Sequence, residues 1–223
     1  MADAPSFSVD SRARRLTRRG VDAREKILDA TIKCIVRSGV TATTIEHVMA
    51  EAQLSRGSVL HQFPNRVALM VATAERAMRR VMDSAGVMAA AIKDPFERLS
   101  DYARISWETH SAPEGLALTD ILLAARWDAE LIAGLQPVAS QVEQEIHDEF
   151  IKLASEAGFD DAEALVPHGW LLIASVRGLI IEHSLGYERP MIIAAIDRMM
   201  ERHRRFCVNL AARDREENKN SQI

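Results

Sequence analysis

The sequence predicts an all-α fold of about nine helices. Its 223 residues include only 10 Gly and 7 Pro, so few chain breakers interrupt it. Between them, apolar residues recur at spacings of three, four or seven, which is the period of a helix face. Helix-start signals separate these stretches: in Asp94-Pro95-Phe96-Glu97 an Asp cap precedes a proline and an acidic third residue.

Composition and charge suggest a globular protein with one basic end. The chain is 48% hydrophobic and 27% charged, and it is long enough for a small domain and a larger one. Its net charge is −4, yet residues 1–66 hold 11 Lys/Arg against 7 Asp/Glu, leaving −8 for the remainder. A positive N-terminal part on an acidic body is suited to binding phosphates at that end.

The same inspection favours a cytoplasmic protein with no membrane contact. The N-terminus lacks the apolar core of a secretory signal, and the longest apolar stretch, 170–181, is too short to span a bilayer. Cys34 and Cys207 are far apart in the sequence, which fits two reduced thiols in a cytosolic setting.

Residues 1–20 lack a periodic apolar pattern, and we expect a flexible basic arm. Such an arm could lie along phosphates or enter a minor groove, or it could be a solvated tail. The arginines expected to contact DNA are Arg14, Arg15, Arg18 and Arg19.

A helix is expected over 21–38, ended by Gly39, and two short helices follow it. Thr43 is the expected N-cap of the first, with Glu46 three residues later, as in a capping box. Gln53-Leu54 interrupts the pattern, and Ser55 can cap a second helix from Arg56 to about residue 62. Two short helices joined by such a turn are typical of a helix-turn-helix, although two ordinary surface helices would show the same spacing.

We expect domain 21–66 to bind double-stranded DNA through hydrogen-bonding groups near both helix starts and on the second helix. Gly57 would allow close backbone approach. The candidate DNA-binding residues are Thr43, Thr44, Ser55, Arg56, Gly57, Ser58, His61, Gln62 and Arg66.

Residues 24–69 resemble the N-terminal DNA-binding domain of the TetR family of transcriptional regulators. REKILDATIKCIVRSG (24–39) is similar to its first helix, and ATTIEHVMAEAQLSRGSVLHQFPNRVAL (42–69) to the next two helices and the start of the fourth. Three positions depart from the family pattern. Leu60 stands where a phosphate-contacting Tyr is usual, Gln53 where the turn usually has Gly, and Arg66 where Lys is frequent.

The rest of the chain predicts a second helical domain, 67–212, followed by a disordered tail, 213–223. One long helix from Arg66 to about residue 90 would connect the two domains, and Pro137 is expected to kink or break a later one. The helices expected in this domain are 66–90, 95–110, 113–126, 129–157, 161–185 and 190–212.

The last two predicted helices differ from the others: 170–181 is apolar on nearly every face, which predicts burial on two sides, and the final helix carries one apolar stripe. The resemblance implies that they pack against a second copy as a four-helix dimer interface; a thick monomer core is the alternative. The residues expected in a homodimer interface are Leu172, Val176, Leu179, Ile192, Ile196, Met199 and His203.

The family's ligand domain predicts a pocket between helices for a mostly apolar or aromatic effector. The candidate lining residues are Trp107, His110, Trp127, Phe150 and Trp170; an ordinary packed core would use the same residue types. We find no catalytic or phosphate-loop motif and expect no enzyme activity, cofactor or metal.

The resemblance therefore implies a ligand-responsive transcriptional regulator, released from its operator by a small molecule. Repression is the usual outcome in the family. The alternative is a helical small-molecule-binding protein or enzyme with a vestigial helix-turn-helix, which Leu60 and the acidic total charge would favour.

Overall fold

The computed structural model describes residues 9–186 and 188–220. Within these ranges the protein is all-α, as predicted, with ten α-helices and one 3-10 turn at Ala162–Ala164. The helices are α1 Val9–Ala42, α2 Ile45–Ala52, α3 Arg56–Gln62, α4 Arg66–Ala90, α5 Pro95–Ser100, α6 Tyr102–Ser111, α7 Pro113–Ala125, α8 Ala129–Glu156, α9 Leu165–His183 and α10 Pro190–Asn220.

The N-terminal part is a small head in which α1, α2, α3 and the start of α4 share one core. Side chains from all four helices are shielded from water there, and their burial stabilises the head. Its largest buried members are Ile27, Leu28, Val48, Val59, Phe63 and Leu69. Two short helices that would be marginal alone are thereby fixed on a rigid base.

A second core joins the head to the body. Helix α7 packs against both α1 and α4, so residues of all three helices are buried together with part of α8. Ile35 of α1, Met70 and Met78 of α4, and Leu118 and Ile121 of α7 are each at most 6% exposed. Any displacement of α4 must therefore repack the α7 contact as well, since interiors are close-packed.

The body is completed by α5, α6, α8, α9 and α10. Phe150 of α8 lies against Gly169 of α9 so closely that a methyl group at Gly169 would stand 2.2 Å from the phenyl ring. Leu99, Leu165, Ile173 and Leu210 surround this contact.

Several boundaries match the sequence and others correct it. Helix α4 has the predicted ends, and Gly39, at φ 78°, interrupts the helical geometry of α1 where a stop was expected. The expectation of a flexible arm over 1–20 is wrong for residues 9–20, because α1 begins at Val9. The disordered tail is likewise wrong as far as Asn220, where α10 ends.

Two further differences from the prediction concern where helices are interrupted. The helix expected over 95–110 is divided at Asp101, which has φ −91° and ψ 0°. Pro137, expected to kink or break its helix, lies inside the continuous α8. Neither outcome follows from residue type, because neighbouring packing decides whether a local break is tolerated.

One helix contradicts the expectation about membrane-spanning length. Ala162–His183 has 22 residues and a mean hydropathy of 1.6, and by length and composition alone it could cross a bilayer. Only 33% of its apolar window is buried within the protein. The 3-10 turn before α9 extends the apolar run beyond the 12 residues recognised in the sequence.

Candidate DNA-binding interface and ligand cavity

Helices α2 and α3 form a helix-turn-helix through residues 53–55. Gln53 adopts the left-handed conformation (φ 54°, ψ 45°), and its N–H donates to the last carbonyls of α2. The turn therefore keeps the geometry that glycine usually supplies, with a side chain that disfavours it. Ser55 then caps α3, its Oγ accepting from the N–H of Ser58 at 3.2 Å.

Helix α3 buries one side and leaves the other exposed. Val59 and the following Phe63 are inaccessible to water, and the Arg24 guanidinium stacks 4.6 Å above the Phe63 ring. This cation–π contact ties α3 to α1. Arg56, Gly57 and His61 are exposed, whereas Ser58, Leu60 and Gln62 are half-buried.

The exposed Arg56 is held by a carboxylate of the preceding helix. Its Nη1 donates to Oε1 of Glu46 at 2.5 Å, and both side chains are about 60% exposed. Backbone N–H donation, and then Arg56, keep the pKa of Glu46 below its usual value, so the carboxylate is ionised at neutral pH. An exposed pair of this kind is weak and can exchange for a phosphate or a base edge.

Two of the sequence-predicted DNA contacts have other roles. Thr43 is 1% exposed and donates its hydroxyl to the Gly39 carbonyl at 2.8 Å, so its inclusion as a DNA contact is wrong. The N-cap of α2 is instead Thr44, which is exposed and accepts from the N–H of His47. Arg66 donates to the carbonyls of Val40 (2.5 Å) and Thr43 (3.2 Å), which fixes the α1–α2 connection.

His47 is a candidate that the sequence gave no reason to select. It is exposed in the first turn of α2, and its Nδ1 lies 2.8 Å from the Ala42 carbonyl. Because a carbonyl only accepts, Nδ1 carries the proton and Nε2 faces outward as an acceptor in the neutral ring. The side chains of Arg14, Arg15, Arg18 and Arg19, which were predicted to contact DNA, lie outside the described residues, although their backbone belongs to α1.

Ion pairs attach the head to α4. Arg76 of α4 reaches Asp29 of α1 at 2.7 Å and also pairs with Glu25, and its side chain is only 9% exposed. Burial is the main cause that lowers the pKa of Arg76. These ion pairs join α4 to α1, which packs against α2 and α3 of the helix-turn-helix.

A narrow cavity of about 40 Å³ lies inside the body, under α4. It is lined by apolar residues of four helices and by a few polar groups of α6 and α9. The lining residues are Met78, Val81, Met82, Ala85, Tyr102, Ser106, Thr109, His110, Leu118, Val142, Ile146, Ile173 and Arg177.

Among the polar residues that line this cavity, only Arg177 is charged. His110 is 6% exposed, and burial, followed by the neighbouring Arg177, lowers its pKa to about 4. Its Nδ1 lies 2.9 Å from the Ser106 carbonyl, so it donates there and Nε2 is left as an acceptor. Burial raises the pKa of Tyr102 to about 12, so its hydroxyl is neutral too.

Of the five residues predicted to line a pocket, His110 lies in this cavity and the other four do not. Trp127 is 86% exposed in the turn after α7, so its assignment is wrong. Phe150 is buried behind Tyr102, with ring centroids 5.1 Å apart. Trp107 packs edge-on against His183, and Trp170 is half-buried away from the cavity. Arg177, a charged residue within the apolar stretch 170–181, is the signal in the sequence that could have identified this cavity.

A second depression, of about 1020 Å³, runs between α9 and α10. Leu172, Leu179, Met199 and His203, four of the predicted dimer residues, line it. The assignment of Val176 to an interface is wrong, because Val176 is fully buried within the protomer against α6.

The two remaining predicted dimer residues do not line the depression: Ile196 is 8% exposed, and Ile192 is half-buried. Leu171, which was not selected, is 61% exposed on the rim. Apolar surface on these two helices is therefore available to a second molecule.

Comparison with known proteins agrees with this architecture. Residues 27–73 match the model of the bacterial regulatory proteins of the tetR family. The HTH-type transcriptional regulator CymR of Pseudomonas putida is 24% identical over 165 residues, covering 73% of this chain and 80% of CymR.

Two solved structures show the same fold over most of their length. A transcriptional regulator of Saccharomonospora viridis, crystallised with choline, superposes with a TM-score of 0.60 at 18% identity, covering 83% of this chain and 95% of that one. A TetR-family regulator of Cytophaga hutchinsonii gives a TM-score of 0.65 at 16% identity, covering 86% and 96%.

Proposed function

The chain belongs to the TetR family of transcriptional regulators, and we propose that it is a repressor released from DNA by a small, mostly apolar molecule. The observation that carries this proposal is the position of the cavity. It lies against α4, the helix whose first residues follow α3 and whose buried face is shared with α1 and α7. A ligand that widens the cavity must displace α4, and with it the head.

We assign DNA contact to the exposed side of α3 and the N-terminal turn of α2. Arg56 can donate to base edges, His61 and Gln62 can donate to or accept from them, and Thr44, Ser55 and Ser58 would contact phosphates. His47 adds an exposed imidazole beside Thr44. The arginines of α1 before Gly20 supply further positive charge, and Gly20 itself lies near Gln62.

A homodimer would present two such heads to one operator, since helix-turn-helix proteins bind half-sites about one DNA turn apart. The depression between α9 and α10 supports this arrangement, because it leaves Leu171 and Leu179 on one helix face with Gly178 between them. A methyl group at Gly178 would meet nothing within 4 Å, so a partner helix could approach closely there. Coverage by a second copy also accounts for the apolar length of α9 without a membrane, in keeping with a cytoplasmic regulator.

The switch follows from two-state thermodynamics. The ligand can shift the equilibrium only by the difference between its affinities for the DNA-binding and released states. The choline complex of the Saccharomonospora viridis protein shows that a relative of this fold binds a small molecule. Members of this family are typically regulators without catalytic activity, and we expect the same of this chain.

Selection of genomic fragments bound by the purified protein tests the proposal. We expect a small set of fragments that share a palindromic sequence, because a symmetric dimer reads two equivalent half-sites. Arg56→Ala should weaken binding to them by about 1–3 kcal/mol if Arg56 reads a base. Lys93→Ala, in the connection after α4, is the control and should retain wild-type selection. Enrichment of unrelated sequences by both proteins would contradict a sequence-specific regulator.

A further inference from the structure

Arg177 is a cation inside the ligand cavity that lacks a counter-charge. It projects from α9 into a space whose lining contains no Asp or Glu. Its Nε is inaccessible to water and has no hydrogen-bond partner, and within residues 9–186 and 188–220 no carboxylate forms an ion pair with it. Arg76 also has a buried Nε without a partner, but Glu25 and Asp29 compensate its charge.

Arg177 is half-buried, with its Nε shielded from water. A cation that is partly withdrawn from water without a counter-charge is costly, and proteins normally pair such groups or bind them to an anion. Burial lowers the pKa of the Arg177 guanidinium, but a guanidinium remains protonated at physiological pH. The cost therefore persists in the ligand-free protein. It would be relieved by an anion that enters the cavity.

We propose that the effector is a small carboxylate with an apolar body, and that Arg177 binds its carboxylate. This inference rests on the proposed function, since it names the chemical class of the ligand that the regulator senses. A guanidinium presents two parallel N–H donors that match a carboxylate, which favours this anion over a neutral amide of the same shape.

The neighbouring groups support a single negative charge in the ligand. Thr109 donates its hydroxyl to the Ile105 carbonyl, and neutral His110 donates to the Ser106 carbonyl. Neither residue adds a charge, so the cavity carries the one positive charge of Arg177. The opposite wall is apolar and would contact the ligand body: Met78, Val81, Leu118, Val142 and Ile173.

The small volume of the cavity explains how binding of a ligand there would displace α4 and the head. About 40 Å³ is far smaller than the few hundred Å³ that enclose a typical small ligand, so the cavity must widen. Met82, Ala85, Tyr102 and Ile146 separate it from an outer groove of about 700 Å³ between α4 and α8. Displacement of these side chains would join the two spaces and move α4.

The outer groove differs from the cavity in charge. Its charged lining residues are Asp83, Arg98, Glu145, Glu149, Lys152 and Glu156, which together are net negative. An anion therefore gains nothing at the entrance, and its attraction is confined to Arg177. This arrangement favours an amphipathic acid whose carboxylate reaches the inner end.

Calorimetric titration and thermal shift of the full chain test this inference with matched probe pairs: benzoate and benzamide, phenylacetate and phenylacetamide, octanoate and octanamide. The variants are Arg177→Gln, Arg177→Lys and Arg126→Gln. Arg126 is an exposed arginine that stacks on Trp127, so its replacement makes the same charge change away from the cavity.

We expect at least one carboxylate to bind the wild type and Arg126→Gln about tenfold more tightly than its amide, as for a desolvated charge pair. Arg177→Gln should lose this preference, and Arg177→Lys should keep a reduced one. Without ligand, Arg177→Gln should melt no lower than the wild type, because it removes an uncompensated charge. An unchanged or higher melting temperature would also show that any loss of binding by Arg177→Gln is not caused by misfolding.

The inference is overturned if no carboxylate in the panel is preferred over its amide by the wild type, or if Arg177→Gln retains the preference. A protein that still selects specific DNA fragments under either outcome would leave the proposed function intact. Conversely, Arg177-dependent carboxylate binding without specific DNA binding would contradict the proposed function and leave the carboxylate site standing.

Discussion

At the scale of single residues, Gln53 has an unusual conformation for its type. An L-residue in the left-handed region costs about 1–2 kcal/mol relative to glycine, and Gln53 has φ 54°. We therefore expect Gln53→Gly to raise the free energy of unfolding of the head by about 1 kcal/mol, measured by denaturant titration.

A matched control lies three residues earlier. Ala50 is exposed inside α2, where glycine is unfavourable, so Ala50→Gly should destabilise the protein by about 0.5–1 kcal/mol. Equal destabilisation by both substitutions would show that Gln53 is not strained and that its side chain stabilises the turn.

The lowered pKa of His110 predicts that the free energy of unfolding depends on pH. Its folded pKa of about 4 lies below the ordinary 6.5, so between these values the unfolded chain binds a proton that the folded chain does not. Stability should therefore fall as the pH is lowered through this window. His110→Gln should reduce the slope of unfolding free energy against pH by up to about 1.4 kcal/mol per unit.

A second histidine sets the comparison for that measurement. His168, whose pKa burial also lowers to about 4, should maintain part of the slope in the His110→Gln variant. Equal slopes for the wild type and His110→Gln would contradict the lowered pKa of His110, because this residue would then bind protons equally in the folded and unfolded chains.

At the scale of elements, α6 and α7 approach each other closely beside the cavity. A methyl group added at Gly115 of α7 would stand 2.3 Å from the backbone carbonyl oxygen of His110. We expect Gly115→Ala to force the two helices apart and to destabilise the protein by about 1–3 kcal/mol in thermal or denaturant unfolding.

Gly86 of α4 provides the opposite case. Nothing lies within 4 Å of a methyl group there, and the residue is exposed in a regular helix. Gly86→Ala should therefore stabilise by about 0.5–1 kcal/mol. If Gly115→Ala were equally stabilising, α6 and α7 could not be as close as the structure places them.

The helices also show which parts of the fold could be predicted from the sequence. Helix α4 was predictable because its start is local: Asn65 accepts from the N–H of Ala68 at 2.8 Å, and the apolar spacing continues to its end. The break at Asp101 was not predictable from its neighbours in the sequence; on either side of it, α5 packs against α8 and α10, whereas α6 packs against α4, α7 and α9.

The site divides in the same way. The helix-turn-helix is encoded locally by caps, spacing and a motif, so most of its exposed residues could be selected beforehand. The cavity was missed because tryptophan content does not specify direction: Trp127 points to solvent, whereas Arg177, a charge within an apolar stretch, points inward. Only tertiary packing determines which of these faces a ligand.

At the scale of the whole molecule, the surface of α9 and α10 predicts association. Leu171 is 61% exposed on the rim of the depression between them, and a charge there would be desolvated by a partner. Leu171→Glu should convert a dimer into single chains of 24.8 kDa, measured by size-exclusion chromatography with light scattering.

Val87→Glu is the corresponding control, because Val87 is 74% exposed on α4, away from α9 and α10. It should leave the mass at that of two chains. A wild-type protein that already elutes as one chain at micromolar concentration would contradict the dimer and require another way to bind two half-sites.

The central claim is that the exposed face of α3 reads a particular DNA sequence, and fluorescence anisotropy tests it most directly. Labelled DNA from immediately upstream of the protein's own gene is compared with a scrambled duplex near physiological salt. We predict binding at least about a thousandfold tighter to the upstream DNA, as is typical of specific over non-specific sites. Weak and equal binding to both duplexes, unchanged by Arg56→Ala, would contradict the account.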